Sequence, residues 1–150
     1  MTVQTTTHLN FGGEARAALE FYRSVFDGDA VVTTYGELGM PADAPGADRV
    51  VFGLVTAGSG FRIMVYDVLG ETTRGIIGSG RTRRENNATL TDQAMFVSLS
   101  AATLDDLLPL WRALAVDGTV IEPLAASAWS AGFGMLTDRF GVTWSVTVAA

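Results

Sequence analysis

The 150-residue sequence contains no cysteine, a single histidine and only four prolines. Without cysteine there is neither a disulfide framework nor a thiolate to serve as nucleophile or soft metal ligand. His8 is the one imidazole that acid–base or metal chemistry could draw on. Positive charge is also scarce, with 10 Lys and Arg against 16 Asp and Glu, a net charge of −6 at pH 7. Such a chain repels a phosphate backbone unless it concentrates a basic face against it. The one basic cluster, Arg81 to Arg84, lies in a Gly/Thr/Asn-rich stretch and reads as a solvated loop, so nucleic acid is not an expected partner. No apolar run reaches the roughly 18 residues of a membrane span, and "MTVQTTTHLN" lacks the basic start and apolar core of a signal peptide. A cytoplasmic protein with no membrane partner is the expectation.

What remains is rich enough to fold. Hydrophobic residues make up 48% of the chain and charged residues 17%, too apolar a balance for overall disorder. The length suits a single globular domain.

The chain repeats itself. Ala15, Ala18, Leu19, Tyr22, Val25 and Phe26 recur at the spacing of one buried helical stripe, followed by Asp27-Gly28. Leu104, Leu107, Leu108, Trp111, Leu114 and Ala115 repeat that spacing, each displaced by 89 residues, and Asp117-Gly118 follows them. Pro109 removes a backbone donor, so the second helix is expected to begin near Asp105 or Asp106.

"THLNF" and "MFVSLS" read as strands entering these helices. Three strand-like runs follow each: "AVVTTYGE", "DRVVFGLVTAG" and "FRIMVYDV" after the first, "GTVIEPL", "SAWSAGFGMLTD" and "GVTWSVTV" after the second. The fold class is α+β, one domain made of two βαβββ modules at about residues 5–68 and 94–148. The connection between them, residues 69–93, is expected to be disordered, because only Ile76, Ile77 and Leu90 could anchor it.

The run from "HLNFGGEARAALEFYRSVFDG" through "TTYGE" and "IMVYD" to "SAWSAGFGMLTDRFGVTW" resembles the vicinal oxygen chelate superfamily of glyoxalase I, bleomycin-resistance proteins and extradiol dioxygenases. The likeness covers nearly the whole chain and is closest to the PhnB-like branch, for which "LTDRFGVTW" looks like a closing signature. It implies a cupped mixed sheet with the helices packed outside, and a homodimer. In metal-dependent relatives, four ligands come from the first and last strands of the two modules. Carried over through the closing motif, the 89-residue displacement and the alignment of the last strands "FRIMVYDV" and "VTWSVTVA", those positions are His8, Met64, Val97 and Ser145. One imidazole, one thioether, one hydrocarbon and one hydroxyl do not suit a tightly held divalent ion. No cofactor is therefore expected, and His8 is the only metal-ligand candidate. A divalent metal held through His8 and strand-end carboxylates from Glu37, Asp67 or Glu122 is the alternative.

Strand alternation separates two faces. Ile63 and Val65 oppose Arg62, Met64 and Tyr66; Leu9 and Phe11 oppose His8 and Asn10; Trp144, Val146 and Val148 oppose Thr143, Ser145 and Thr147. The second set in each case suits a pocket for a small organic ligand with one or two polar groups. Candidate ligand-binding residues are His8, Asn10, Arg62, Met64, Tyr66, Val97, Trp129, Phe133 and Ser145.

Each has a plainer alternative. His8 could be satisfied by a neighbouring carbonyl, and Arg62 could pair with Asp48 or Asp67 instead of an acidic ligand. Trp129 and Phe133 could serve edge packing or a dimer contact. "AWSAG" lacks the first glycine and the strand-to-helix setting of a nucleophile elbow. No glycine-rich strand-to-helix turn supports a methyltransferase cofactor.

Two functions follow. The first is a metal-free small-molecule binding protein, and the second a divalent-metal-dependent lyase, isomerase or dioxygenase-like enzyme.

Overall fold

A computed structural model describes all of residues 1–150. The first module runs β1 (Thr7–Phe11), α1 (Ala15–Val25), β2 (Gly28–Thr34), β3 (Val50–Ala57) and β4 (Arg62–Asp67). A two-stranded insertion follows, β5 (Thr82–Glu85) and β6 (Ala88–Thr91). The second module is β7 (Val97–Ala101), α2 (Leu104–Ala115), β8 (Thr119–Ser127), β9 (Ser130–Thr137) and β10 (Thr143–Val148). The two βαβββ modules expected from the repeat are present. Their sheets have the orders β1-β4-β3-β2 and β7-β10-β9-β8, each with its first strand parallel to its last and the other pairs antiparallel. The chain divides into two compact units, Met1–Ile77 and Gly78–Ala150.

In the first unit, α1 buries Ala15, Ala18, Leu19 and Tyr22 on the sheet face that carries Leu9, Phe11, Val55, Ile63 and Val65. Gly53 marks that face, since a Cβ there would meet Val65 and Leu19 side chains at 2.5 and 3.4 Å. Glu14, at the N-cap of α1, makes no side-chain cap. Asp67, at the end of β4, caps the helix instead. Its Oδ1 accepts the N–H of Gly13 at 2.8 Å and of Ala15 at 3.1 Å, and its Oδ2 accepts that of Val50 at 3.0 Å. A carboxylate at the positive end of a helix is favourable, so this one residue ties helix, β3 and β4 together.

In the second unit, α2 starts at Leu104, one or two residues earlier than expected. Thr103 accepts the Asp106 N–H at 3.2 Å and closes the first turn, while Pro109 is exposed and forfeits only the bond to the Asp105 carbonyl. Leu107, Trp111 and Leu114 are buried on the helix, and Leu136, Trp144 and Val146 on the sheet.

The repeated Asp-Gly has a divided role. The aspartates, not the glycines, take the left-handed conformation after each helix, with φ of 49° at Asp27 and 58° at Asp117. The glycines permit close approach: a Cβ on Gly28 would lie 2.7 Å from the Thr56 carbonyl oxygen, and one on Gly118 2.5 Å from that of Thr137. Gly28→Ala and Gly118→Ala are each expected to lower stability by about 1–3 kcal/mol, as overpacking against backbone does. Asp27→Gly and Asp117→Gly are expected to stay within about 1 kcal/mol of wild type, since glycine suits a positive φ. Urea unfolding of the four variants measures the contrast.

Residues 69–93 are not the disordered connection expected. Ile77 N–H donates to the Asn10 carbonyl at 2.8 Å, and Ile76 bridges Phe11. Asn86 and Asn87 both have positive φ, 50° and 63°, the two-residue turn that matches the twist of a hairpin. The ladder runs from Glu85↔Ala88 at the turn to Thr82↔Thr91 at the open end. The strands are polar on both faces, which hid them from a search for alternation.

Candidate ligand-binding faces

The face of the first unit turned away from α1 is built by cross-strand pairs. His8 pairs with Met64 and Asn10 with Tyr66 between β1 and β4; Met64 pairs with Leu54 and Arg62 with Thr56 between β4 and β3. The structure therefore brings together His8, Asn10, Arg62, Met64 and Tyr66. The rings of His8 and Tyr66 meet edge to face, 6.1 Å apart. Tyr35, absent from the candidates, stands on the other side of Tyr66 with ring centroids 6.1 Å apart. Its hydroxyl donates to the Asp67 carbonyl at 2.7 Å. Burial first, then the hydrogen bond with Tyr66, push its ionisation well above the ordinary tyrosine range. Tyr35 is thus a neutral donor.

Arg62 donates its Nε–H to Thr6 Oγ1 at 3.2 Å and pairs with neither Asp48 nor Asp67. The three strand-end carboxylates have other partners. Asp67 is occupied by three backbone N–H groups. Glu37 accepts the N–H and Oγ1–H of Thr34, and the backbone bond first, then the side-chain bond, hold its carboxyl below the usual range. Glu122 faces the Arg84 guanidinium at 3.7 Å.

In the second unit, β10 pairs with β7 so that Trp144 meets Val97 and Ser145 meets Ser98. Val97 shares the α2 side with Trp144, and Ser98 replaces it beside Ser145. The 89-residue ruler slips because three residues separate β1 from α1 but two separate β7 from α2. A one-residue slip moves a strand's side chains to the other face.

Ser145 also pairs with Met135, and Thr147 with Phe133. The β5–β6 hairpin covers this face. The Arg84 guanidinium lies 5.1 Å from the Phe133 ring centre, its Nη1 donates to Thr89 Oγ1 at 2.9 Å, and Thr89 Oγ1 donates to Met135 Sδ at 3.7 Å. Trp129 stands apart at the β8–β9 turn, 71% exposed.

No group of three or more His, Asp or Glu side chains gathers where an ion could be held. The partners that the sheets give His8 and Ser145 are Met64, Tyr66, Ser98 and Met135, a donor set that does not fit the four-ligand site of metal-dependent relatives.

Paired βαβββ modules, each with one helix-covered face and one face of mixed polar and aromatic side chains, define a glyoxalase-type fold. Residues 7–146 match the Glyoxalase/Bleomycin resistance protein/Dioxygenase superfamily, and the chain belongs to it. Protein PA1353 from Pseudomonas aeruginosa is 30% identical over 98% of both chains, with a TM-score of 0.73. The PhnB protein from Bacillus cereus, which carries a provisional 3-demethylubiquinone-9 3-methyltransferase name, is 26% identical over 98% of this chain and 100% of its own, with a TM-score of 0.71. A glyoxylase/bleomycin resistance protein/dioxygenase domain from a Frankia species shares the fold at 12% identity and a TM-score of 0.62, covering 100% of this chain and 99% of its own. No curated protein matches the sequence significantly.

Proposed function

We propose that the protein binds a small organic molecule on the His8 face of its first unit, without a tightly held metal. One observation carries this reading. Around the only imidazole the sheet places Met64, Tyr66 and Asn10, and no carboxylate is left to join it as a hard donor. A surface with an aromatic and aliphatic floor and a few polar groups suits a small ligand. PA1353 and the PhnB protein have the same fold at 30% and 26% identity, which supports the family and leaves the ligand to be found. Cytoplasmic residence and assembly as a homodimer belong to the same proposal, the second testable by light scattering on the eluted protein.

Metal content measured by mass spectrometry on untagged protein tests the reading. Less than about 0.1 divalent ion per chain, unchanged in His8→Ala, is expected, because a single neutral imidazole holds an ion weakly. Close to one ion per chain, lost in His8→Ala, would overturn the reading in favour of metal-dependent lyase, isomerase or dioxygenase-like chemistry.

A further inference from the structure

The two units offer the same sheet face in different states. In the second, Met135 lies on the side away from α2 and is nevertheless only 2% exposed, with Thr89 of β6 against its sulfur and Arg84 of β5 over neighbouring Phe133. A guanidinium from the chain itself, that of Arg84, occupies the aromatic floor at Phe133 and has Glu122 as its counter-charge at 3.7 Å. In the first unit the equivalent side stays accessible. His8 and Asn10 are exposed, and Phe52 and Val31, on the same side of β3 and β2, are 38% and 57% exposed.

We propose that the open face of the first unit selects a flat organic anion through Arg62, and that each chain has one such site because its own hairpin fills the counterpart. The proposal rests on the ligand-binding reading above and names the ligand class.

Charge decides the class. Arg62 shares the face with Met64 and Tyr66, and its one protein bond, from Nε to Thr6, goes to a neutral hydroxyl. Its two Nη groups therefore remain for a carboxylate or sulfonate, which a planar guanidinium binds with paired hydrogen bonds. The carboxylate of the same cross-strand row is Asp29, which reaches Arg62 only through Thr56. Two strand spacings place it about 10 Å away, near the Debye length in physiological salt, so it does not neutralise Arg62. Residues two apart on a strand are about 7 Å apart, so an acidic group at Arg62 leaves an aromatic body over Met64 and Tyr66. Charge of the opposite sense, supplied by the ligand in the first unit, is supplied in the second by Glu122.

Two fluorescent probes that share one aromatic body test this on the full chain: the anionic 1-anilinonaphthalene-8-sulfonate and the neutral N-phenyl-1-naphthylamine. The sulfonate is expected to bind once per chain, about tenfold tighter than the neutral probe, a difference of one good charge-assisted contact. Arg62→Met, which keeps the apolar stem, is expected to remove that preference and leave the neutral probe within twofold. Arg62→Lys should restore part of it. Arg84→Ala should leave the sulfonate affinity unchanged, and near-ultraviolet circular dichroism checks that each variant is folded.

Equal affinity for both probes, or a sulfonate affinity that ignores Arg62→Met, would overturn the anion selectivity and leave the ligand-binding reading standing. Loss of binding in Arg84→Ala rather than Arg62→Met would move the site to the second unit and overturn the assignment. If neither probe binds the wild-type protein, the ligand-binding reading itself fails.

Discussion

Asp67→Ala is expected to lose about 4 kcal/mol of stability, since hydrogen bonds to a charged group contribute roughly 1.5–3 kcal/mol each and buried N–H groups left unpaired add their own penalty. Asp67 is 1% exposed, and the three partners of its carboxylate are the backbone N–H groups of Gly13, Ala15 and Val50. No rearrangement of side chains replaces it. Glu14, the residue at the local N-cap, is engaged with the Gly75 N–H. Asp67→Asn should fall between, because its carbonyl oxygen still serves Gly13 and Ala15 while its NH₂ group faces the Val50 N–H donor to donor. For a chain of this size the alanine variant corresponds to a fall in melting temperature of about 8–16 °C. Calorimetry measures it, and hydrogen exchange should show the earliest loss of protection in α1. A fall of less than about 2 °C would mean that the helix terminus finds its partners in water, and the tying role assigned to Asp67 would be abandoned.

The second large effect lies in the closing motif. Trp144 is fully buried against α2, and its Nε1–H donates to Asp138 Oδ2 at 2.9 Å. Asp138 Oδ1 also accepts the N–H groups of Phe140 and Val142 at 2.9 and 3.1 Å, closing the β9–β10 turn. Trp144→Ala combines a large cavity with a broken buried bond, and should cost about 4 kcal/mol, within the range for large aromatic truncations. Trp144→Phe retains most of the volume and leaves Asp138 short of one donor, for a loss of about 1–3 kcal/mol. A cycle with Asp138→Ala should show coupling of at least about 1 kcal/mol. Additive effects in urea unfolding would mean that the indole contributes by packing alone.

These two aspartates lie in the stretches that carry the resemblance to PhnB-like proteins, "IMVYD" and "LTDRFGVTW". Asp67 ends β4 and caps a helix, and Asp138 follows β9 and closes a turn. Both hold the scaffold, and neither faces the ligand side. "LTDRFGVTW" is therefore a signature of fold.

The helices, the strand alternation and the two faces were legible because they follow from local periodicity, which the 89-residue repeat doubled. That His8 and Met64 face the same side followed from the alternation, and the structure adds that they are cross-strand partners. Val97 was misplaced because a repeat found on helices measures strands only if the intervening loops match, and here they differ by one residue. The hairpin was missed although its turn, Asn86-Asn87, has the residue types that such turns favour. Its strands, "TRRE" and "ATLT", present no apolar face of their own.

By itself, then, the sequence determined the modules and their faces, since both arise from the spacing of apolar side chains along short stretches of backbone. Tertiary structure alone decided which face stays open. Arg62 and Arg84 look alike as arginines beside strands, but one ends against a threonine hydroxyl and the other between Phe133 and Glu122. That difference comes from Thr6, Glu122 and Phe133, each 38 or more residues from its arginine, whose register no local pattern records.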